Sequence, residues 1–226
     1  MKRIVMAFVI MVWATMSGFA QTHYQSNISV GVKAGASVSR VFFNPSVSQG
    51  WPFSPTAGVM VRYIEENHFG LIAEVNYVRR GWCENFNGAP FEYRRDIDYI
   101  EIPLLAHIYF GRRGRFFFNA GPEVAFRIGE HEKSNFNTGD IASIHGFPVA
   151  NRRNAQLTEP VRQKVDFGIA AGIGGEFNIN RRNSLSLEAR YYFGIGNLMS
   201  AGRQDPFRAS NQMTVALMLG YWFRIK

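Results

Sequence analysis

The chain is poor in cysteine, in long apolar runs and in recognisable catalytic or ligand-binding motifs. Cys83 is its only cysteine among 226 residues, so no internal disulfide is available and no framework of paired thiols organises the fold. Beyond Lys33 the longest uncharged stretch, residues 41–61, contains Pro45, Pro52 and Pro55 amid Ser and Asn, which excludes a membrane-spanning helix there. A second uncharged stretch, residues 209–223, is too short for such a helix and alternates with period two. No GxGxxG or P-loop pattern is present, and His131, Glu132 and His145 lack the short repeated spacing of a dedicated zinc or iron site. No cofactor or metal is therefore expected, and the lone Cys83 reads as incidental rather than reactive.

What is present begins with an export signal. Lys2 and Arg3 form a basic n-region, residues 4–13 an apolar core, and Gly18, Phe19 and Ala20 supply the small residues of a cleavage site. The apolar core is shorter than the ~20 residues a spanning helix needs. Residues 1–20 are thus expected to be removed, and the absence of cysteine near the cut argues against a lipid anchor. The mature chain, residues 21–226, loses two bases and no acids, so its formal net charge falls from +8 to +6. Export and the missing motifs exclude nucleic acid as the partner of this basic chain.

The mature chain alternates. Met213, Val215, Leu217, Leu219, Tyr221 and Phe223 share one face of an extended segment, and Gln212, Thr214, Ala216, Met218 and Gly220 share the other. Leu185, Leu187, Ala189, Tyr191 and Phe193 repeat the pattern against Ser186, Glu188, Arg190, Tyr192 and Gly194. Val165, Phe167, Ile169, Ala171 and Ile173 do so against Asp166, Gly168, Ala170, Gly172 and Gly174. Noisier versions occupy residues 28–38, 57–63, 71–77, 100–110 and 116–126, which makes eight strands. Connectors at 65–68, 111–114 and 180–183 are tight and polar, whereas those near 41–54, 82–94, 128–162 and 197–210 are long.

A lipid bilayer offers no water to unpaired backbone groups, so a spanning sheet must close on itself. Eight alternating strands with short turns at one end and long loops at the other predict an all-β fold, an eight-stranded antiparallel up-and-down barrel in the outer membrane of a Gram-negative envelope. Tyr63, Tyr77, Tyr191, Phe193, Tyr221 and Phe223 lie towards strand ends, as girdle residues should.

The face opposite the lipid collects charge. Glu74, Glu101, Glu123, Asp166, Glu176 and Glu188 stand against Lys33, Arg62, Arg127, Arg190 and Arg224. Eight strands enclose a space that side chains fill, so Lys33, Arg62, Glu74, Glu123, Asp166, Glu176, Glu188 and Arg190 are expected to pair as a polar lumen network rather than line an open pore. The competing use of the same residues is a proton or ion pathway.

Five segments resemble the PorT-like outer-membrane barrels of Bacteroidetes: residues 31–39, 98–105, 119–123, 166–176 and 187–192. The most specific is Tyr99, Glu101 and the run Ile102, Pro103, Leu104, Leu105, because proline within a strand marks a bulge or bend. The resemblance implies an eight-stranded barrel and, through the founding member, an accessory part in type IX protein secretion or envelope assembly.

The alternative class is a lipid-A-modifying enzyme, an acylase or deacylase, which needs a serine, a histidine and a carboxylate in reach of one another. Ser143, His145 and His107 are the residues available, but a loop position gives the first two no fixed geometry, and they read as ordinary polar loop residues. A second candidate surface is the outer rim. Arg79, Arg80, Arg94 and Arg95 flank the second long loop, with Arg152 and Arg153 in the third, and guanidinium groups there suit the phosphates of lipopolysaccharide.

Overall fold

The computed structural model describes residues 26–148, 154–199 and 205–225; the expected export signal, Arg152 and Arg153 lie outside them. Eight strands follow in chain order: β1 (Asn27–Asn44), β2 (Phe53–Glu66), β3 (Phe69–Cys83), β4 (Tyr93–Gly111), β5 (Gly114–Ser134), β6 (Val165–Asn178), β7 (Asn183–Gly194) and β8 (Ala209–Arg224). Each pairs antiparallel with its sequence neighbour, and β8 returns to β1 with Ser29 opposite Arg224 and Asn44 opposite Ala209, closing the barrel. No helix among the described residues is long and apolar enough to cross a membrane; the crossing elements are strands.

Closure follows from the alternation. Val32, Val61, Leu71, Ile102, Phe118, Ile169, Leu187 and Leu219 all point outward and are exposed, an apolar belt with no water-soluble partner. Tyr63, Phe69, Phe110, Phe116, Phe177, Tyr221 and Phe223 crowd the end nearest the short turns, where aromatic rings suit the headgroup boundary. The turns are tight for local reasons: Asn67 and His68 make one, with His68 at φ 75°, and Gly111 adopts φ 105° to enter another.

Pro103 interrupts the β4 ladder without changing register, since Glu101 faces Ala125, Pro103 faces Glu123 and Ala106 faces Ala120 with one constant offset. The register shift lies four residues earlier, at Asp98 and Tyr99, so the sequence reading placed the irregularity on the right strand and at the wrong residue.

Four of the strands, β1, β3, β4 and β5, run further than their apolar-out pattern. Beyond the belt, β1, β3 and β4 carry apolar residues inward, and the long loops fold inward onto them. Val41, Phe43, Val78, Trp82, Tyr93, Ile97 and Tyr99 point into the barrel mouth and are buried with Phe147, Leu157, Val161, Leu198 and Phe207 from the loops. A four-residue helix, Ala155–Thr158, seats Leu157 in this cluster. The third long loop is thus a folded part of the barrel over residues 154–164.

Candidate functional site

Two polar assemblies stand out, one inside the barrel and one on its outer rim. Inside, Lys33 and Glu74 form an ion pair, and Arg190 reaches the same carboxylate with Nη1 to Oε2 at 2.6 Å and Nη2 to Oε1 at 2.9 Å. Arg190 also pairs with Glu188 at 2.9 Å, and Asn119 donates to Glu188 at 3.0 Å. Arg62 pairs with Glu176, to which Ser184 also donates at 2.8 Å, and its guanidinium lies 4.4 Å from the Trp222 ring centre. Asn76 links the groups by donating to Glu74 at 3.0 Å and to Glu101 at 2.9 Å. Tyr192 donates to Asp166 at 2.8 Å.

All eight expected lumen residues are therefore buried and turned inward, and each has an ionic or hydrogen-bonding partner. Apolar layers enclose the network: the loop-covered mouth on one side and Ile64, Tyr109 and Phe117 on the other. The free space among Lys33, Arg62, Glu74, His107 and Glu176 is about 10 Å³, room for roughly one water.

Arg80 and Arg95 correct the sequence reading. Both were expected on the rim facing lipopolysaccharide, and both point into the barrel. Arg80 is buried between Glu101 and Glu123, with its guanidinium 3.8 Å from the Tyr192 ring centre. Arg95 pairs with Glu130 and donates through Nη1 to the Glu159 carbonyl at 2.7 Å, fixing the third loop; Arg127 does the same to the Val161 carbonyl at 2.7 Å. The physical reason is strand parity: β3 and β4 continue past the belt, so successive arginines in each pair fall on opposite faces.

Arg79 and Arg94 do face outward. Register sets three rungs side by side across β3, β4 and β5: Arg79, Asp98 and Gly129; Gly81, Asp96 and His131; Cys83, Arg94 and Lys133. Asp98 accepts from Arg79 Nε at 2.7 Å, from the Tyr77 hydroxyl at 2.7 Å and from His131 Nε2 at 3.1 Å. The rung lies beyond the apolar belt, where Ile100 and Tyr77 end it. Burial acts to raise the Asp98 pKa, but the Arg79 and Tyr77 hydrogen bonds outweigh it and hold the carboxyl below its ordinary value. Arg94 Nε lies 2.8 Å from both Asp96 oxygens, and its Nη2 reaches the Phe53 carbonyl at 3.1 Å.

The remaining sequence candidates are dispersed. Ser143 donates to the Asp140 carbonyl at 3.0 Å, whereas His107 is buried in the lumen with Nδ1 at 2.7 Å from Asn119 Oδ1. Burial pushes the Cys83 thiol pKa up, which favours the less nucleophilic form. His131 and Glu132 fall on opposite faces of β5, and the described residues gather no group of three metal-ligating side chains.

A closed antiparallel barrel with an apolar outer wall and a paired polar lumen is an outer-membrane β-barrel, and the comparisons agree. The chain belongs to the outer membrane protein beta-barrel domain family, whose model matches residues 19–200. Among solved structures it is similar to neisserial surface protein A, with 12% identity, 88% of this chain and 99% of that one covered, and a TM-score of 0.51. It is also similar to the outer membrane protein OprG from Pseudomonas aeruginosa, with 13% identity, 87% and 95% covered, and a TM-score of 0.52. At these identities the likeness carries the barrel fold. No curated protein sequence matches the chain. The protein resides in the outer membrane.

Proposed function

We propose that the protein works through its outer surface, as an interaction barrel that serves envelope assembly or type IX protein secretion as an accessory and has lipopolysaccharide as its lipid partner. The observation that carries this reading is the filled interior. Ion pairs occupy the lumen and apolar layers lie above and below them, so chemistry with other molecules falls to the cap and the rim. The PorT-like run at Ile102, Pro103, Leu104 and Leu105 supports the secretion branch, and the outward Arg79 and Arg94 support the lipid contact. In the same reading residues 1–20 are removed on export.

The test is purification of the tagged protein from native outer membranes in mild detergent, with mass spectrometry of whatever accompanies it at near-stoichiometric amounts. Secretion or assembly components are the expected companions. Lipopolysaccharide alone, with no protein partner, would overturn the accessory role and leave a free-standing barrel.

A further inference from the structure

The outward rungs of β3, β4 and β5 differ from ordinary solvated charge. Arg79 and Arg94 each have one carboxylate beneath them, Asp98 and Asp96, whose side chains are only 8% and 6% exposed. Both arginine side chains remain 33% exposed, and His131 is 58% exposed. Each guanidinium uses Nε and Nη2 on the protein, and Nη1 has no protein acceptor among the described residues. Glycines deepen the patch: Gly129 leaves space beside the Asp98 carboxylate, where an added Cβ would lie 3.2 Å from Oδ2, and Gly81 separates Arg79 from Cys83 on β3.

The position of the patch specifies the ligand. It lies on the lipid-facing side, one rung past Tyr77 and Ile100, where the hydrocarbon ends and headgroups begin. Three formal cations, Arg79, Arg94 and Lys133, stand over the two buried carboxylates Asp98 and Asp96, and Glu84 and Glu92 border the end at Arg94 and Lys133. Pinning by buried carboxylates removes the rotamer entropy that a free arginine loses on binding, and a planar guanidinium edge matches phosphate geometry.

We propose that Arg79, Arg94, His131 and Lys133 form a binding site for the phosphate of an outer-leaflet glycolipid, with Asp98 and Asp96 as positioning residues that hold the two guanidinium groups. This rests on the reading that the rim contacts lipid, and it names the chemistry of that contact.

The experiment takes the full-length protein, strips it of lipid, places it in phosphatidylcholine nanodiscs and measures retention of bisphosphorylated and of dephosphorylated lipid A by mass spectrometry. Wild type is expected to retain the phosphorylated form about tenfold better, and Arg79→Gln with Arg94→Gln to erase the difference. Asp98→Asn separates mechanism from bulk charge: it makes the patch more positive, so simple attraction tightens retention, whereas loss of positioning weakens it. Weaker retention is expected. Folding of each variant is verified by the gel-mobility difference between boiled and unboiled samples. Excess inorganic phosphate should not displace the lipid.

Unchanged retention in the double variant, or tighter retention in Asp98→Asn, would overturn the site. Displacement by inorganic phosphate as effective as by lipid A itself would overturn the glycolipid as its ligand. Because protein partners are scored separately by co-purification, loss of lipid with partners retained sinks this site alone.

Discussion

Within the membrane, the barrel wall carries Val32, Ile102 and Leu219 outward and Lys33, Glu101 and Gly220 inward; beyond it, the wall carries Arg79, Asp96 and His131 outward and Trp82, Ile97 and Phe43 inward. Along β3 and β4 the period of two continues across the boundary and only the polarity of the two faces changes, while the β4–β5 ladder shifts register there, at Asp98 and Tyr99. The solvent outside decides this. Hydrocarbon surrounds the lower storey, so charge is tolerated only inside, where it is paired; water surrounds the upper storey, so Val41, Trp82 and Ile97 turn inward and the loops cover them. The upper storey is in effect a water-soluble domain built on the barrel's own strands.

The sharpest way to break that contrast is to delete a cation from the lower storey's charge network, which Arg80 joins by reaching inward from the boundary. Arg80 sits between Glu101 and Glu123, and Arg80→Met leaves two buried carboxylates facing each other. A loss of about 3–5 kcal/mol is expected, read as a lower urea midpoint for the whole barrel in detergent. A loss below about 1 kcal/mol would mean that water reaches the network and that the apolar layers do not seal it.

The upper storey should fail differently. Trp82 is wholly buried, with its ring 5.5 Å from that of Phe43 and the Arg95 guanidinium 5.5 Å from its centre. Trp82→Ala costs about 3 kcal/mol of packing, but most of it should appear locally. Added protease should cut the third loop while the strands within the membrane stay intact. Equal loss of protection in both storeys would show one cooperative unit rather than two.

This division also explains what the sequence made legible. Period-two alternation located all eight strands and turned all eight lumen residues the right way, because within the belt an apolar residue outward and a polar one inward is a single consistent rule. The rule inverts at Arg79. Val41 and Trp82 therefore read as loop residues, the strands read short at that end, and Arg80 and Arg95 read as rim residues although they face into the barrel. The ionic rungs were out of reach for another reason: Asp96 and Asp98 meet Arg79 and His131 only through the register of three strands, and the shift at Asp98 and Tyr99 that aligns them leaves no mark in a linear pattern.

The smallest expected effect on stability is the most discriminating, because it concerns the neighbour of the residue with the largest. Arg79 adjoins Arg80 in sequence, yet it lies on the opposite face, a third exposed and hydrogen-bonded at 2.7 Å to the Asp98 carboxylate. Partly exposed ion pairs contribute roughly 0–1 kcal/mol, since water screens the exposed guanidinium and can take its place on the carboxylate, which keeps the Tyr77 hydrogen bond. Arg79→Gln should therefore leave the urea midpoint close to wild type while reducing lipid A retention, whereas Arg80→Met should lower the midpoint. If Arg79→Gln instead destabilised the barrel as strongly as Arg80→Met, the outer rungs would be a structural brace, and the lower lipid retention would follow from loosened strands rather than from a lost phosphate contact.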